Sequence, residues 1–231
     1  NAVMPSAVRS RSLPVRERRR IARIVDALEG LYPNTRPGLQ FSDPFQLLIE
    51  TILSAQTTDK QVNSVSDALF KRYPTPDAMA RANAKTLEAI IRPVGYYRQK
   101  AISAIETSRG LVDRFNGIVP KTIEELTTLR GVGRKTANVV LSHGFGINEG
   151  VTVDTHVKRL SARLGLTDQT DPARIEKDLM VRIPQAIWNR FSHQLIDHGR
   201  AVCKARNPHC DTCALSKDCP SAAENRKTQH G

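Results

Sequence analysis

The sequence predicts an all-α protein built from many short helices. Apolar residues recur three and four positions apart along most of the 231 residues, which is the spacing of one face of a helix. Helix-start signals, such as a capping side chain followed by proline, precede several of these stretches. Alternating polar and apolar residues are rare, and the longest such run, residues 150–154, is too short to build a sheet.

The first predicted helix begins near Val15, at the end of an arginine-rich segment. We expect that segment, residues 1–20, to be a mobile basic arm that either touches phosphates or stays solvated. Its arginines are Arg9, Arg11, Arg16, Arg18, Arg19 and Arg20.

Capping signals mark the helices that follow. Residues 42–44, 75–77 and 171–172 each place a capping side chain before a proline or next to one, and Thr122 with Glu125 forms a capping box. The predicted helices have apolar faces within residues 45–53, 62–69, 87–91, 102–115, 126–129, 157–164, 175–179 and 187–196.

The charge of the chain points to a polyanionic partner. Lysine and arginine number 35 against 23 aspartates and glutamates, which gives a net charge of +12. No basic amphipathic stretch carries tryptophan or phenylalanine on its apolar face, so nucleic acid is favoured over an anionic membrane. A basic protein without a polyanionic partner stays open. No apolar run approaches the roughly 20 residues of a membrane helix, and we expect no membrane contact and a cytoplasmic location.

The strongest local signal is the string LRGVGRKTA at residues 129–137. Gly131 and Gly133 allow a tight turn and a close approach of the backbone to a ligand, and a helix starts near Arg134. The unpaired N–H groups of that helix start, together with Arg130, make the turn a candidate phosphate cradle. The alternative is a turn that merely connects two helices.

Lys135 is the candidate nucleophile of this turn. Attack requires a neutral amine, and lowering its pKa from about 10.4 to about 7 takes about 4–5 kcal/mol. The helix start and the neighbouring Arg130 and Arg134 disfavour the ammonium form, and partial burial in the turn would add to their effect. The alternative is one more surface lysine near phosphates.

Asp154 lies in the segment from Val151 to His156, just before a predicted helix. An aspartate there is expected to cap the helix, and the same carboxylate can act as a base toward Lys135 or stabilise positive charge on a sugar. The two roles are compatible. His156 is interpreted as structural or phosphate-facing.

All four cysteines lie near the end of the chain, at Cys203, Cys210, Cys213 and Cys219. Their clustering, and the absence of a secretion signal, favours a four-thiolate metal site in a reducing compartment over disulfides. The spacing fits neither a zinc knuckle nor a ferredoxin well, so zinc and iron–sulfur both stay open.

Together these motifs resemble the endonuclease III family of DNA glycosylases. The resemblance runs from about Ala22 to Cys219 and includes the hairpin, the Val-Asp-Thr-His segment, His198-Gly199-Arg200 and the cysteine spacing. It implies two all-α domains with a DNA-binding cleft between them. A six-helix domain with the helix-hairpin-helix would span residues 37–147. Residues 21–36 and 148–231 would form a second domain around a 4Fe-4S cluster held by the four cysteines.

The resemblance also implies roles for individual residues. Lys135 would attack C1′ of a damaged nucleotide with the assistance of Asp154, and β-elimination would follow from the Schiff base. Gln56, in the segment from Ser54 to Asp59, would enter the gap left by the flipped nucleotide. Adenine glycosylases of this fold carry serine at the lysine position and mismatch thymine glycosylases carry tyrosine, so Lys135 favours the bifunctional branch. Arg130 departs from the usual proline of the hairpin and keeps an N–H.

Three further residues are expected to contact DNA. Tyr96 follows Gly95 where the family commonly has a leucine that wedges into the duplex, and its ring would stack on the orphaned base. The alternative is that Tyr96 and Tyr97 are two half-buried loop aromatics. Lys204 and Arg206, between the first two cysteines, make little sense as core and are expected to contact phosphates.

The resemblance thus implies a monomeric bacterial enzyme of base excision repair. Its substrate would be double-stranded DNA containing oxidised pyrimidines or abasic sites, and it would associate with the nucleoid through DNA. A helix-hairpin-helix module that binds DNA without catalysis, a related mismatch glycosylase and a small electron carrier are the alternatives. The last of these is disfavoured by the length and basic charge of the chain.

Overall fold

A computed structural model describes residues 13–35 and 38–227, the side chains of residues 225–227 excepted. Helix is the regular secondary structure throughout these residues, which confirms the all-α prediction. The chain divides between residues 36 and 37 and between residues 149 and 150 into two compact units. We call residues 38–149 the central unit, and residues 13–35 with 150–227 the terminal unit.

The central unit contains seven α-helices, where the resemblance implied six. Two of them, Pro76–Ala80 and Ile123–Leu126, are only about one turn long. The helices are α2 (Pro44–Leu53), α3 (Asp59–Arg72), α4 (Pro76–Ala80), α5 (Ala84–Ile91), α6 (Tyr97–Phe115), α7 (Ile123–Leu126) and α8 (Arg134–Val139). A 3₁₀ turn (Arg92–Val94) leads into α6, and a π-helical turn (Val140–Gly144) continues α8.

The capping signals of the central unit lie where the sequence predicts them. Asp43 accepts a hydrogen bond from the backbone N–H of Gln46 and starts α2, with Pro44 at the first helical position. Thr75 and Thr122 cap α4 and α7 in the same way. Each such cap stabilises its helix by about 1 kcal/mol. The apolar faces of these helices pack into one core that includes Leu48, Leu69, Met79, Leu87, Leu111 and Leu141.

The terminal unit joins the first described helix to the last part of the chain. Its helices are α1 (Val15–Leu31), α9 (Thr155–Arg163), α10 (Pro172–Arg182), α11 (Trp188–Ala201) and α12 (Ala222–Lys227), with 3₁₀ turns at Gln185–Ile187 and Ser216–Asp218. Its core includes Ile21, Leu28, Leu160, Leu179, Phe191 and Leu195. Among the described residues, the helices lack the combination of length and apolar character needed to cross a bilayer.

The start of α1 confirms the predicted helix start near Val15 and shortens the expected mobile arm. Residues 15–20 belong to the helix, because Ile21 and Leu28 bury its inner face. Arg20 is also fixed there, since its guanidinium donates to the backbone oxygens of Leu164 (2.6 Å) and Asp218 (2.8 Å). Residues 1–12 of the arm, with Arg9 and Arg11, lie outside the described residues.

Candidate nucleic-acid interface and metal centre

The glycine turn lies between α7 and α8 in the central unit. Gly131 has a φ of +76°, which favours glycine, and a Cβ at this position would lie 3.4 Å from Cβ of Ser103 on α6. Gly133 is the N-cap of α8 and has no side chain with which to cap the N–H groups of the first turn. The hydroxyl of Thr107, buried on α6, donates a hydrogen bond to the backbone oxygen of Arg130. The turn is therefore a helix-hairpin-helix that is anchored to α6 and has the start of α8 at its exposed end.

Lys135 is exposed on the first turn of α8. The expectation of partial burial in the turn is therefore wrong for the protein alone, because the two hairpin glycines carry no side chains that could cover the amine. Arg130 and Arg134 are exposed beside it. An accessible amine flanked by guanidinium groups and backbone N–H donors suits contact with a phosphodiester backbone.

Asp154 caps α9 in the terminal unit, as the sequence predicts. Its Oδ1 accepts a hydrogen bond of 2.8 Å from the backbone N–H of Val157, and the residue is half-buried. The cap fixes the carboxylate at the start of the helix, where the helix dipole favours negative charge.

Gln56 and Tyr96 occupy strained loop positions on the central unit. Gln56, between α2 and α3, has a φ of 55°, and Tyr96, just before α6, has a φ of 44°. Both side chains are exposed, Tyr96 to 72%. Tyr97 packs partly against the core, so the interpretation as two half-buried aromatics holds for Tyr97 and is wrong for Tyr96. Left-handed backbone at a residue other than glycine typically marks a turn or a functional loop.

The four cysteines lie around one cavity in the terminal unit. The cavity has a volume of about 390 Å³, including space open to solvent, and its other walls are mostly apolar, with Leu160, Leu164 and Leu215 among them. All four cysteines are free thiols, so the disulfide alternative is wrong. Burial raises the pKa of the Cys213 and Cys219 thiols. Within the described ranges, no three His, Cys, Asp or Glu side chains are grouped closely enough to hold a single metal ion.

Two side chains from neighbouring helices contact the cysteine sulfurs. Nη1 of Arg163, at the end of α9, donates to Sγ of Cys203 at 3.3 Å. Nε2 of His198, buried on α11, lies 3.4 Å from Sγ of Cys213, and its Nδ1 lies 3.0 Å from the hydroxyl of Tyr32. These contacts place a guanidinium hydrogen at Sγ of Cys203 and an imidazole nitrogen beside Sγ of Cys213, within an otherwise apolar cavity.

Two arginines of α9 bind the backbone oxygens of residues 203–205. The guanidinium of Arg163 donates to the backbone oxygens of Lys204 (2.7 Å) and Ala205 (3.1 Å), and that of Arg159 donates to the backbone oxygen of Cys203 (3.0 Å). The side chains of Lys204 and Arg206 are exposed. A fixed backbone with exposed basic side chains is the arrangement that contact with phosphates requires.

Comparison with known proteins identifies the chain. Residues 49–185 match the model of the HhH-GPD superfamily of base excision DNA repair proteins. Endonuclease III of Synechocystis sp. is 53% identical over 206 residues, which are 89% of this chain and 94% of that protein. Endonuclease III of Bacillus subtilis is 38% identical over 88% of this chain and 93% of its own length. The chain belongs to the endonuclease III family.

Solved structures agree with this assignment. A trapped covalent intermediate of endonuclease III with DNA, in an estranged-adenine complex, has 40% sequence identity and a TM-score of 0.84. It covers 90% of this chain, and the match covers 98% of that structure. A thermostable thymine-DNA glycosylase, 23% identical with a TM-score of 0.80, shares the fold. This endonuclease III-family chain is a DNA glycosylase and AP lyase of base excision repair, and it binds DNA.

The sequence motifs did not identify the residues of this endonuclease III-family chain that hold its candidate site residues in place. Arg159 and Arg163 stand one helical turn apart on α9, but their spacing is that of any solvated helix face. Thr107 on α6 belongs to no motif, and Lys100, four residues after Tyr96, was assigned no role from the sequence. The structure brings the four cysteines together, while Lys135 lies in the central unit and Asp154 in the terminal unit.

Proposed function

We propose that this glycosylase and lyase acts on oxidised pyrimidines and abasic sites in double-stranded DNA through a Schiff base on Lys135. The observation that carries the proposal is the exposed amine of Lys135 on the first turn of α8, directly after the hairpin glycines. The 40%-identical solved relative was trapped as a covalent intermediate with DNA, which supports covalent catalysis in this chain.

In the proposed reaction the amine of Lys135 first acts as the nucleophile and then forms the Schiff base from which elimination occurs. The neutral Nζ of Lys135 attacks C1′ of the flipped nucleotide, the N-glycosidic bond breaks, and the base leaves with that electron pair and takes up a proton. Opening of the sugar ring gives a Schiff base. Loss of a proton from C2′ then expels the 3′ phosphate, and water releases Lys135. Asp154 would accept the proton of the attacking amine or stabilise positive charge on the sugar.

Four residues are proposed to hold the duplex around the damaged nucleotide. Arg130 and Arg134 would contact phosphates with the hairpin N–H groups of Gly131 and Gly133, as helix starts commonly do. Gln56 would fill the gap left by the flipped nucleotide, and Tyr96 would stack on the orphaned base. Their exposure, and the left-handed backbone of Gln56 and Tyr96, support these roles. The protein is proposed to act as a monomer at the bacterial nucleoid.

The four cysteines are proposed to ligate a 4Fe-4S cluster. The residues present fit this group, since four free thiols lie around one mostly apolar cavity. When bound, a cluster would cross-link the chain through the thiolates of the four cysteines. Arg163 and His198 would direct polar hydrogens at the thiolates of Cys203 and Cys213. Fixing residues 203–210 in this way would present Lys204 and Arg206 to phosphates.

A panel of duplex oligonucleotides tests the proposed substrate class. Each carries one lesion (an oxidised pyrimidine, an abasic site, a mismatched thymine or an undamaged control), and borohydride is added during turnover. Covalent trapping and strand cleavage at oxidised pyrimidines and abasic sites are expected. Trapping only at mismatched thymine would support the related mismatch glycosylase instead, and binding without trapping on any duplex would support a DNA-binding module.

A further inference from the structure

The loop that carries Tyr96 adopts a backbone that few residues tolerate. Gly95 has φ 62° and ψ 158°, a region populated essentially by glycine, and Tyr96 follows with φ 44° and ψ 27°. Left-handed backbone at a residue that carries a side chain, such as Tyr96, persists only where the surroundings hold it. The Tyr96 side chain is exposed and Gly95 has nothing within 4 Å of a built Cβ, so packing around the loop itself does not provide that hold.

Lys100 makes two hydrogen bonds at the loop, one from its side chain and one from its backbone. Its Nζ donates a hydrogen bond of 2.8 Å to the backbone oxygen of Val94, the residue before the loop. Its backbone N–H donates to the backbone oxygen of Tyr96 at 3.1 Å. Val94 is fully buried, so the first of these bonds ties the ammonium to a fixed point of the core.

The burial of this lysine is unusual for its residue type. Lys100 is only 6% exposed, and burial lowers the pKa of its ammonium. A buried ammonium needs hydrogen-bond acceptors. Without them, the unfavourable free energy of burying the charge exceeds the favourable free energy of packing the aliphatic part of the side chain. The backbone oxygen of Val94 is such an acceptor, and a lysine that served stability alone would be replaceable by an apolar side chain of similar length.

We propose that Lys100 is a positioning residue that holds Tyr96 in its wedge conformation. The inference rests on the proposed role of Tyr96 in stacking on the orphaned base. Lys100 itself touches no DNA, since its ammonium is buried. It acts by keeping the end of the Arg92–Val94 turn next to the start of α6, which leaves residues 95 and 96 only the left-handed path between them.

A double-mutant cycle between Lys100→Met and Tyr96→Ala tests this inference. Methionine keeps the length and apolar stem of lysine and removes the donor. The readouts are the single-turnover excision rate per folded molecule and the fluorescence of 2-aminopurine placed opposite the lesion. We expect Lys100→Met to lower both the rate, by about tenfold, and the fluorescence change on binding. In the Tyr96→Ala background the same substitution should change neither, because the wedge is already absent.

The outcomes separate this inference from the proposal on which it rests. A Tyr96→Ala variant with full activity contradicts the wedge role and the inference with it. In the second case the Tyr96→Ala variant is impaired, and Lys100→Met lowers the rate by the same factor in that background as in the wild type. This result supports the wedge role of Tyr96 and contradicts the positioning role of Lys100. If Lys100→Met does not fold, Lys100→Gln, which is one atom too short to reach Val94, replaces it in the same cycle.

Two controls exclude an effect of charge alone. Lys85→Met removes an exposed lysine of the same unit and should leave the rate and the fluorescence unchanged. The dependence of DNA affinity on salt should be the same for Lys100→Met and the wild type, because a buried ammonium releases no counterions from phosphates. A flatter salt dependence would assign Lys100 to phosphate binding and overturn the inference.

Discussion

Arg163 donates a hydrogen bond from Nη1 to Sγ of Cys203 at 3.3 Å. Its own backbone oxygen lies 3.3 Å from Sγ of Cys219, so one residue at the end of α9 contacts the first and the last cysteine of the chain. Asp154 caps the other end of the same nine-residue helix. The proposed catalytic carboxylate and the cysteine cavity are therefore carried by opposite ends of one rigid element within the terminal unit.

Replacement of Lys135 by glutamine should abolish covalent trapping by borohydride. Glutamine cannot form a Schiff base, and loss of the nucleophile is expected to lower the lyase rate by about a thousandfold or more. DNA binding should persist, because the hairpin donors are backbone groups. Lys71→Gln, at an exposed position of α3, is the matched control and should trap normally. Undiminished trapping by Lys135→Gln would rule out the assignment.

Replacement of Asp154 by asparagine should slow turnover about a hundredfold and leave the fold intact. Asparagine caps a helix about as well as aspartate, so the melting temperature should move little. Asp171→Asn is a matched control, since Asp171 caps α10 through an equivalent bond to the N–H of Arg174. Near-normal turnover by Asp154→Asn would remove its carboxylate from the mechanism.

Purified protein should be yellow-brown and contain about four iron atoms per chain. Cys213→Ser should lose iron and unfold at a lower temperature, because its sulfur lies in the cavity that the other three cysteines share. Iron analysis and the visible absorption spectrum measure the first expectation, and thermal unfolding measures the second. Colourless protein with stoichiometric zinc would contradict the proposed cluster.

Replacement of Lys204 by alanine should flatten the salt dependence of DNA binding. Each phosphate contact contributes about 0.9 to the slope of log K against log salt, so loss of one contact should reduce the slope by about that amount. Lys177→Ala, an exposed lysine of α10, serves as the control and should leave the slope unchanged. If Lys204→Ala leaves the slope unchanged, Lys204 does not contact a phosphate of the DNA backbone.

The free energy of unfolding should fall as the pH rises from about 4.5 to about 7, because of Glu50. This residue is fully buried, and burial raises its pKa to about 7, against the hydrogen bond from Ser66. A carboxyl whose pKa is raised in the folded state binds more protons there than in the unfolded state. Its contribution is therefore full below the unfolded pKa and is lost as pH rises through the folded one.

The expected loss from Glu50 is on the order of 3 kcal/mol, measured by denaturant unfolding across the pH range. Glu50→Gln, which cannot ionise, should flatten that part of the profile and make the protein more stable than the wild type at pH 8. Identical profiles for the two proteins would show that the pKa of Glu50 is the same in the folded and unfolded states, which contradicts the prediction.

Local signals in the sequence determined the elements and the family. The caps at Asp43, Thr75 and Asp154 lie where they were predicted, because a cap is formed by residues three positions apart. The glycine turn and the cysteine spacing are equally local. Their combination was enough to predict an all-α fold and membership of the endonuclease III family.

Tertiary packing decided which side chains are buried. Lys100 and Glu50 look like ordinary charged residues on helices, but the neighbouring elements enclose both of them. Lys135, expected to be partly covered by its turn, is exposed because glycines cannot cover it. The burial of a charged side chain depends on residues distant in sequence, so the local apolar pattern does not report it. The positioning role of Lys100, the titration of Glu50 and the contacts of Arg163 with the cysteines therefore became visible only in the folded chain.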